Sequence, residues 1–364
     1  MVNFVPEDDE KWVGWLAHDK DAVGKLEFGR FEPKQWTEDD IELQVHYSGI
    51  CASDLHMLRT GYGWSPVTHP VVVGHEIVGK VIRIGSNVSK AGIKIGAFAG
   101  VGAQSGSCLS CEQCTNDRHP YCDAGATSTY GAEYQDGSGK SAGGFAHHWR
   151  GPATFATPIE GIHPADAASM QCAGITVLSP LLQNDVKQGS NVGIVGIGGL
   201  GHFGIMFAHA LGAEVTAISQ THSKEQDAKQ MGATHFLATS DGEKAISAHR
   251  RSLDLIVCTV NDFEEGQLEG YLSLLKVHGR FMLVGVPDKP LNFLAFPLIA
   301  NGISIGGSAI GSPKEIADML ELVRKHDIKT WKKIWPMEQV NEALLDMERG
   351  NARYRHVLKT KYAE

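Results

Sequence analysis

Four of the seven cysteines lie within one short segment and could together bind a metal ion. They are Cys108, Cys111, Cys114 and Cys122, in the spacing C-x2-C-x2-C-x7-C. In that spacing four thiolates can reach one tetrahedral zinc ion at about 2.3 Å each, and they leave no position open for a substrate. The segment therefore predicts a structural zinc lobe over about residues 104–125. Two local disulfides are the alternative, and they would require an oxidising compartment.

Three further possible ligands are scattered over the chain. Cys51 begins a polar patch at a strand end, His75 follows the apolar residues 71–73, and Cys172 precedes a glycine-rich segment. Two thiolates and one imidazole would leave the fourth position of a tetrahedral zinc open, as catalysis requires. Because a single Cys or His is more often a core residue, this hypothesis depends on the other motifs that accompany it. Cys258 lies in an apolar strand and is interpreted as a core residue.

A glycine-rich segment has the pattern of a phosphate-binding loop. It reads Gly196-Ile-Gly198-Gly199-Leu200-Gly201, with an apolar strand before it (Asn191–Val195) and a helical pattern after it. The three motif glycines would permit the tight turn, the close approach of a pyrophosphate, and close packing of helix on strand. The helix N-terminus would favour the phosphate charge. A glycine-rich turn without a ligand is the alternative.

The next strand favours NADP(H) over NAD(H). An NAD site usually has Asp or Glu at the end of its second strand, which here ends with Ser219 and is followed by Ser223 and Lys224. A serine can donate to a 2′-phosphate and a lysine can pair with it, whereas a carboxylate would repel it. The alternative is a plain helix start with a solvated lysine.

Composition limits the class of protein. The chain has 364 residues, 42% of them hydrophobic and 21% charged, which predicts about two globular domains. A net charge of -9 without a basic stripe argues against nucleic acid and anionic membranes as partners. Residues 1–12 lack the apolar core of a secretory signal, and no apolar run reaches about 20 residues. The cysteine usage makes a reducing cytosol the expected compartment.

The elements that must position these residues change character near residue 165. Before it, short strands and loops predict an all-β, barrel-like domain; Leu43, Val45 and Tyr47 alternate with polar residues as in a half-buried strand, and residues 77–84 form another strand. After it, strands alternate with helices, which predicts βαβ units and a parallel sheet. The predicted strands there are Asn191–Val195, Glu214–Ser219 and residues 253–259 and 280–284, with one helix ending at Gly212 and another over residues 223–231.

Two amphipathic helices follow residue 302. The first would bury Ile316, Met319, Leu320 and Val323, and the second Val340, Leu344, Leu345 and Met347 before Gly350.

Taken in this order, the motifs resemble the zinc-dependent medium-chain alcohol dehydrogenases. The most similar subgroup is the cinnamyl alcohol dehydrogenase-like enzymes, which reduce aldehydes with NADPH. The resemblance extends over nearly the whole chain. It is carried by Trp15, the Cys51-to-His56 patch, Gly74-His75-Glu76-Ile-Val-Gly79, the four-cysteine lobe, Cys172-Ala-Gly-Ile-Thr176, Val195-Gly-Ile-Gly-Gly-Leu-Gly-His202, Leu283-Val-Gly285 and Arg353-Tyr-Arg355.

The resemblance implies an α/β fold in which a Rossmann doubly wound parallel sheet domain is inserted in a GroES-like β-barrel catalytic domain. The expected boundaries are residues 1–163 and 302–364 for the catalytic domain and 164–301 for the Rossmann domain, with an active-site cleft between them. It also implies that Cys51, His75 and Cys172 hold a catalytic zinc. Glu76 would be the neighbouring carboxylate, able to enter the metal shell when substrate is absent.

Further roles come from the same resemblance. Ser53 and His56 match the proton relay, and Asp54 supports the metal ligands from behind. Thr176 would touch the nicotinamide, Val284 and Val286 would lie along the cofactor, and Arg355 would lie near the pyrophosphate. A homodimer is expected through the sheet edge near residues 302–311, where Ile303, Ile305 and Ile310 could pair across a two-fold axis; an internal sheet strand is the alternative.

The expected function is therefore reduction of an aromatic or medium-chain aldehyde by NADP(H), with two zinc ions per chain and a small molecule as substrate. One alternative keeps the fold and changes the substrate to a polyol or a secondary alcohol. Another is an NADPH-binding protein whose zinc is only architectural. Residues 123–139 do not match a subgroup closely enough to name a substrate.

Overall fold

The computed structural model describes residues 11–59, 68–287 and 289–363. They form two compact units, the first within Met1–Cys172 and Gly311–Glu364, the second within Ala173–Ile310. Both junctions lie nine residues beyond the predicted ones, at 172 rather than 163 and at 310 rather than 301. The first boundary lies later than predicted because the helix Pro164–Ser169 packs on the sheet of the first unit. The second lies later because the strand Ser304–Gly307 pairs within the sheet of the second unit.

The strands in chain order are β1 (Val13–Ala17), β2 (Glu27–Arg30), β3 (Asp40–Ile50), β4 (Val71–Val72), β5 (Glu76–Ile84), β6 (Phe98–Val101), β7 (Gln104–Gly106), β8 (Thr127–Ser128), β9 (His148–Pro152), β10 (Ala156–Pro158), β11 (Asn191–Val195), β12 (Glu214–Ser219), β13 (His235–Ala238), β14 (Leu253–Cys258), β15 (Leu275–Leu283), β16 (Ser304–Gly307), β17 (Lys332–Pro336) and β18 (Arg355–Lys359). The α-helices are α1 (Ala52–Arg59), α2 (Glu112–Thr115), α3 (Pro164–Ser169), α4 (Ile175–Gln183), α5 (Gly201–Ala210), α6 (Glu225–Gln230), α7 (Glu243–Ala248), α8 (Gln267–Ser273), α9 (Ala295–Asn301), α10 (Pro313–His326) and α11 (Val340–Glu348).

The first unit is built on a seven-stranded sheet in the order β10-β6-β5-β3-β18-β17, with β9 also paired to β3. Two smaller sheets, β2-β1-β4 and β7-β8, accompany it. The predicted strands around Leu43 and over residues 77–84 are confirmed as β3 and β5. The half-buried pattern predicted for β3 is wrong, because the polar Glu42 is also buried. Its carboxylate is held by the ammonium of Lys11 at 2.6 Å and the guanidinium of Arg150 at 2.6 Å.

The second unit contains a six-stranded sheet in the order β13-β12-β11-β14-β15-β16, and every neighbouring pair is parallel. Counted from β11, this is the strand order of the doubly wound dinucleotide-binding fold. The predicted parallel sheet is therefore confirmed. The helix predicted over residues 223–231 is shorter, because a 3-10 turn (His222–Lys224) precedes α6.

The two C-terminal helices belong to the first unit. The four predicted core residues of α10 are buried, and a capping box between Ser312 and Glu315 starts that helix. In α11, Val340 and Leu344 are buried, while Leu345 and Met347 are only half-buried. Within the described residues, no helix is both long and apolar enough to span a bilayer.

Candidate metal centres and dinucleotide site

Three separate segments of the first unit meet at one buried cluster. Cys51 follows β3, His75 and Glu76 lie at the start of β5, and Cys172 lies in a π-helical turn (Met170–Gly174). Because β3 and β5 are antiparallel neighbours with Gly49 opposite Glu76, the end of one strand lies beside the start of the other. The ligand atoms of Cys51, His75, Glu76 and Cys172 lie within 4.8 Å of one another, and all four residues are buried. We call these four residues the buried cluster.

Asp54 holds two of these segments together and orients the imidazole of His75. Its Oδ1 accepts hydrogen bonds from His75 Nδ1 at 3.0 Å and from the Gly74 amide at 3.1 Å. Its Oδ2 accepts the Cys51 amide at 2.8 Å. An ionised carboxylate only accepts, so a proton sits on Nδ1 of His75, and Nε2 is the nitrogen that would bind a metal ion in place of a second proton.

Two polar atoms of the buried cluster are available as ligands for a metal ion. His75 Nε2 and Glu76 Oε2 are buried without a hydrogen-bond partner. Buried polar atoms are rarely left in that state. Together with the two cysteine sulfurs they form a mixed sulfur, nitrogen and oxygen donor set of the kind that zinc accepts.

The four-cysteine lobe forms a second candidate metal centre. Its ligand atoms also lie within 4.8 Å of one another. The nearest sulfurs, those of Cys108 and Cys122, are 3.4 Å apart, whereas a disulfide needs about 2.05 Å. All seven cysteines are free thiols, so no described residue supports the disulfide alternative. The Cys111 amide donates to Cys108 Sγ at 3.3 Å, and the Cys108 amide donates to Cys122 Sγ at 3.4 Å.

The glycine loop of the second unit has backbone features that favour glycine. Gly196 has a φ of +87°, which favours glycine, and a Cβ on Gly201 would lie 1.8 Å from the Gly196 carbonyl oxygen. A Cβ on Gly198 would meet no atom within 4 Å, so open space borders the loop there. The loop joins the end of β11 to α5, as the sequence predicts.

Comparisons with known proteins agree with both units. The profile of zinc-binding dehydrogenases matches residues 199–325, and that of the alcohol dehydrogenase GroES-like domain matches residues 37–161. An 8-hydroxygeraniol dehydrogenase of Catharanthus roseus is 40% identical over 355 residues, which are 97% of this chain and 96% of that protein. The NADP-dependent alcohol dehydrogenase 6 of Saccharomyces cerevisiae is 39% identical over 336 residues, 90% of this chain and 91% of that protein. A probable mannitol dehydrogenase of Fragaria ananassa is 39% identical over 355 residues, 97% of this chain and 96% of that protein.

Solved structures give the same result. A cinnamyl alcohol dehydrogenase of Sorghum bicolor superposes with a TM-score of 0.89 at 32% identity, over 97% of this chain and 98% of that one. A cinnamyl alcohol dehydrogenase of Helicobacter pylori, complexed with NADP(H), gives a TM-score of 0.84 at 28% identity, over 97% and 99%. This chain belongs to the zinc-dependent medium-chain alcohol dehydrogenases, in the cinnamyl alcohol dehydrogenase-like group. The predicted family, the Rossmann domain and the GroES-like domain are thereby confirmed, and alcohol dehydrogenase-type oxidoreduction is the activity of the family.

The electrostatics of the buried cluster in this dehydrogenase favour one shared proton between its two thiols. A hydrogen bond from Cys172 lowers the pKa of Cys51 well below its usual range, with help from His75. The same hydrogen bond, together with burial, raises the pKa of Cys172. Burial alone would lower the pKa of His75, but Asp54 and Cys51 raise it well above its usual value. The two pKa shifts are thus opposite in direction, and a metal ion bound by both sulfurs would displace the protons that the thiols retain.

Arg355 lies beside the buried cluster, within the first unit. Its guanidinium pairs with Glu76 Oε1, and its side chain is only 2% exposed. Burial raises the pKa of Glu76 to about 7, although Arg355 opposes that shift. The predicted contact of Arg355 with a pyrophosphate stays a prediction, since its charge already has a carboxylate partner here.

The predicted relay residues lie on α1, directly after Cys51. Ser53 and His56 are both half-buried, and Cys51 Sγ approaches Ser53 Oγ at 3.7 Å. Asp54, on the same helix, is fully buried. A single helical turn therefore carries both the carboxylate that binds His75 and the hydroxyl assigned to the relay.

Several predicted cofactor residues of the second unit lie at or near the carboxyl ends of its strands. Lys224 Nζ donates to the Ile197 carbonyl in the glycine loop at 2.7 Å. Ser219 ends β12 half-buried, and Ser223 Oγ lies 3.0 Å from Thr221 Oγ1. The remaining predicted residues are the buried Thr176 on α4, the half-buried Val284 after β15 and the exposed Val286; Gly199 and Leu200 complete the loop before α5.

Sequence reasoning did not single out Tyr130, whose ring lies next to His75 with centroids 5.6 Å apart. It lies in a loop beyond the last lobe cysteine, where no spacing or periodicity points to the buried cluster. It also did not single out His222, which lies between Glu225 (2.8 Å) and Asp241 (3.0 Å) near the end of β12.

Proposed function

We propose that this dehydrogenase reduces an aldehyde to a primary alcohol with NADP(H), at a zinc ion held by Cys51, His75 and Cys172. The observation that carries the proposal is the buried cluster, in which His75 Nε2 has no hydrogen-bond partner and faces the two cysteine sulfurs. Three ligands leave one tetrahedral position for a substrate oxygen. Glu76 would be the fourth, exchangeable donor.

Zinc, when bound, would supply a Lewis acid that polarises a substrate carbonyl. The residues of the chain have their own tasks around it. Asp54 keeps the proton of His75 on Nδ1, so that Nε2 faces the metal. Ser53 Oγ would donate a proton toward the product oxygen, and His56, half-buried on the same helix, would replace it from solvent. A relay is needed because the cluster itself is buried.

A second zinc ion is proposed for the four-cysteine lobe. All four sulfurs face one another, and backbone amides already donate to two of them. Amide donors stabilise thiolates, and hydrogen bonds from the backbone lower the pKa of Cys108 to about 6. Four thiolates give a closed shell, so this ion would have a structural role only.

The preference for NADP(H) is supported by the charges around β12. No carboxylate ends that strand, and Lys224 lies against the glycine loop. The two nearby acids, Glu225 and Asp241, are paired with His222, and Glu225 also with Lys229 at 2.6 Å. Both acids thus have cationic or histidine partners, and Lys224 would supply the positive charge for a 2′-phosphate. The yeast relative named for NADP and the bacterial structure complexed with NADP(H) support the same preference.

The cofactor proposal is tested by kcat/KM for NADPH and for NADH in the parent, Lys224→Ala and Lys229→Ala. We expect the parent to prefer NADPH, and Lys224→Ala to lose about tenfold or more with NADPH but little with NADH, because a charge-assisted hydrogen bond is removed. Lys229→Ala is the matched control, since Lys229 is an exposed lysine of the same segment and bonds only to Glu225 in the described contacts. A parent that prefers NADH would overturn the proposal.

The proposed substrate class is an aromatic or medium-chain aldehyde. The relatives named for cinnamyl alcohol and for 8-hydroxygeraniol support it. The relative named as a probable mannitol dehydrogenase favours the alternative of a polyol substrate. NADPH oxidation with a panel of aldehydes, and NADP reduction with polyols and secondary alcohols, separates these classes. Each assay is run with and without a zinc chelator, because a non-catalytic zinc protein would show no turnover in either.

We also propose a homodimer through the edge of the parallel sheet. Strand β16 pairs with β15 and is the last strand of the sheet in the described residues. Nearby, Leu294, Phe296 and Ile299 are 71–76% exposed, an apolar surface typical of interfaces. Ile303 is buried in the core of its own unit, so it would not contact a partner as the sequence predicted. Light scattering on the parent and on Ile299→Glu tests the dimer. The cytoplasmic location stays a prediction.

A further inference from the structure

We propose that Tyr130 is a positioning residue for the proposed catalytic metal centre, because it touches both members of the Asp54–His75 pair. The proposal rests on the assignment of His75 as a zinc ligand. Tyr130 lies two residues after β8, in the loop that leads from the four-cysteine lobe to Phe145. It is 5% exposed and belongs to the same apolar core as Val73 and Phe145, so its ring is held on a rigid wall.

The ring of Tyr130 restricts the rotation of the imidazole. The two ring centroids are 5.6 Å apart, with an angle of 42° between the planes. An aromatic pair at this separation is in contact. With the tyrosine ring in this position, Nδ1 of His75 lies next to Asp54 and Nε2 lies near the two cysteine sulfurs.

The hydroxyl of Tyr130 acts on the other member of the pair, since burial, the charge of Asp54 and a side-chain hydrogen bond with Asp54 are among the causes that raise its pKa. A phenol is protonated at neutral pH and an ionised carboxylate only accepts, so Tyr130 is the donor. Asp54 also accepts from the amides of Cys51 and Gly74 and from His75 Nδ1. The tyrosine therefore adds a fourth donor, which helps to fix the plane of the carboxylate and with it the imidazole.

Groups that hold a metal ligand from behind typically change metal affinity by about 10–100-fold when they are removed. Tyr130→Phe keeps the ring against His75 and removes only the hydroxyl. We therefore expect it to loosen the zinc at the buried cluster without unfolding the unit. Tyr130→Leu removes both contacts and should loosen the zinc further.

Tyr134 supplies a matched control in the same loop. It is also 5% exposed, and its hydroxyl donates to Ser105 Oγ at 3.1 Å rather than to Asp54. Tyr134→Phe thus removes an equally buried phenol hydroxyl whose described partner lies outside the buried cluster.

The test follows the loss of zinc to excess chelator from the parent, Tyr130→Phe and Tyr134→Phe. The phase that is missing in Cys172→Ser identifies the buried cluster. In Tyr130→Phe that phase should become about tenfold faster, while the phase of the four-cysteine lobe and both phases of Tyr134→Phe stay as in the parent.

Three outcomes would be decisive. Equal rates in the parent and in Tyr130→Phe would overturn the positioning role. An equal acceleration of both phases would show that Tyr130 acts only on general stability, which overturns it too. A parent in which no phase depends on Cys172 would instead refute the assignment of the zinc ligands themselves.

Discussion

The two clusters of possible zinc ligands in the first unit are built in opposite ways. The four-cysteine lobe uses one short segment, and Cys108 and Cys111 remain partly exposed. The buried cluster draws on three segments that are far apart in the chain, and all of its members are buried. Backbone amides support the lobe sulfurs, whereas side-chain charges on Asp54 and Arg355 support the buried cluster.

The difference shows how a fold separates a structural site from a reactive one. A local loop can close around an ion with four like donors and needs little from the remaining fold. A site that must leave one position open, exclude water and hold an imidazole in one tautomer needs support from several elements. Here β3, β5 and the π-helical turn each contribute one part.

The largest effect is expected from exchanging one cysteine in each cluster. Cys172→Ser should lower kcat/KM by about a thousandfold or more, because Lewis-acid stabilisation is worth several kcal/mol and each 1.4 kcal/mol is tenfold. Its melting temperature should change little. Cys111→Ser should do the opposite, with a lower melting temperature and a smaller loss of kcat/KM in the folded fraction. Steady-state kinetics and calorimetry on both variants check this, and equal kinetic losses would remove the distinction.

The proton relay should give the next largest effect, and only at the buried cluster. Ser53→Ala should lower kcat by about a hundredfold while the KM for the cofactor stays unchanged, because a positioned proton donor contributes about 10²–10⁴ in rate. Ser53→Thr keeps the hydroxyl and serves as the control. An unchanged kcat in Ser53→Ala would reject the relay.

The contribution of Asp54 to zinc binding should be measurable without an activity assay. Asp54→Asn should weaken zinc binding at the buried cluster by about 10–100-fold, since the hydrogen-bond acceptor of His75 Nδ1 loses its charge. The lobe should keep its zinc, because no Asp54 contact reaches it among the described hydrogen bonds. Competition with a fluorescent chelator measures both sites, and an equal weakening of the lobe would speak for general damage.

The two clusters also differ in how far the sequence alone could predict them. The lobe could be predicted from spacing alone, since all of its ligands are local. Cys51, His75 and Cys172 could be assigned only through the family resemblance, because no local pattern brings β3 next to β5. The strands β11 and β12 match their predicted bounds, since each is an apolar run with a glycine shortly before it. The burial of Glu42 could not be predicted, because its partner Arg150 is 108 residues away.

The last effect concerns low pH, at which the unfolding of the protein must be separated from the release of metal ions by either cluster. Burial lowers the pKa of His148 to about 4. A histidine with a lowered folded pKa contributes stability that is present above its ordinary pKa near 6.5 and is lost as the pH falls toward 4.

Replacement of that histidine should therefore flatten the pH profile of unfolding. Between pH 7 and 4 the free energy of unfolding of the parent should fall by roughly 3 kcal/mol more than that of His148→Gln. This magnitude follows from about 1.4 kcal/mol for each unit by which the pKa is lowered. The exposed His235 on β13 gives the control variant His235→Gln. Chemical denaturation at a series of pH values measures the profile, and parallel profiles for parent and His148→Gln would contradict the prediction.

The central claim is that substrate chemistry takes place at the metal of the buried cluster. Cobalt(II) can occupy zinc sites of this kind and, unlike zinc, absorbs visible light. The visible spectrum of the cobalt-substituted enzyme with and without an alcohol or aldehyde ligand therefore tests the claim most directly. The account predicts a band set that is absent in Cys172→Ser and shifts when the ligand binds. A spectrum that stays unchanged by a ligand which the enzyme turns over would contradict it.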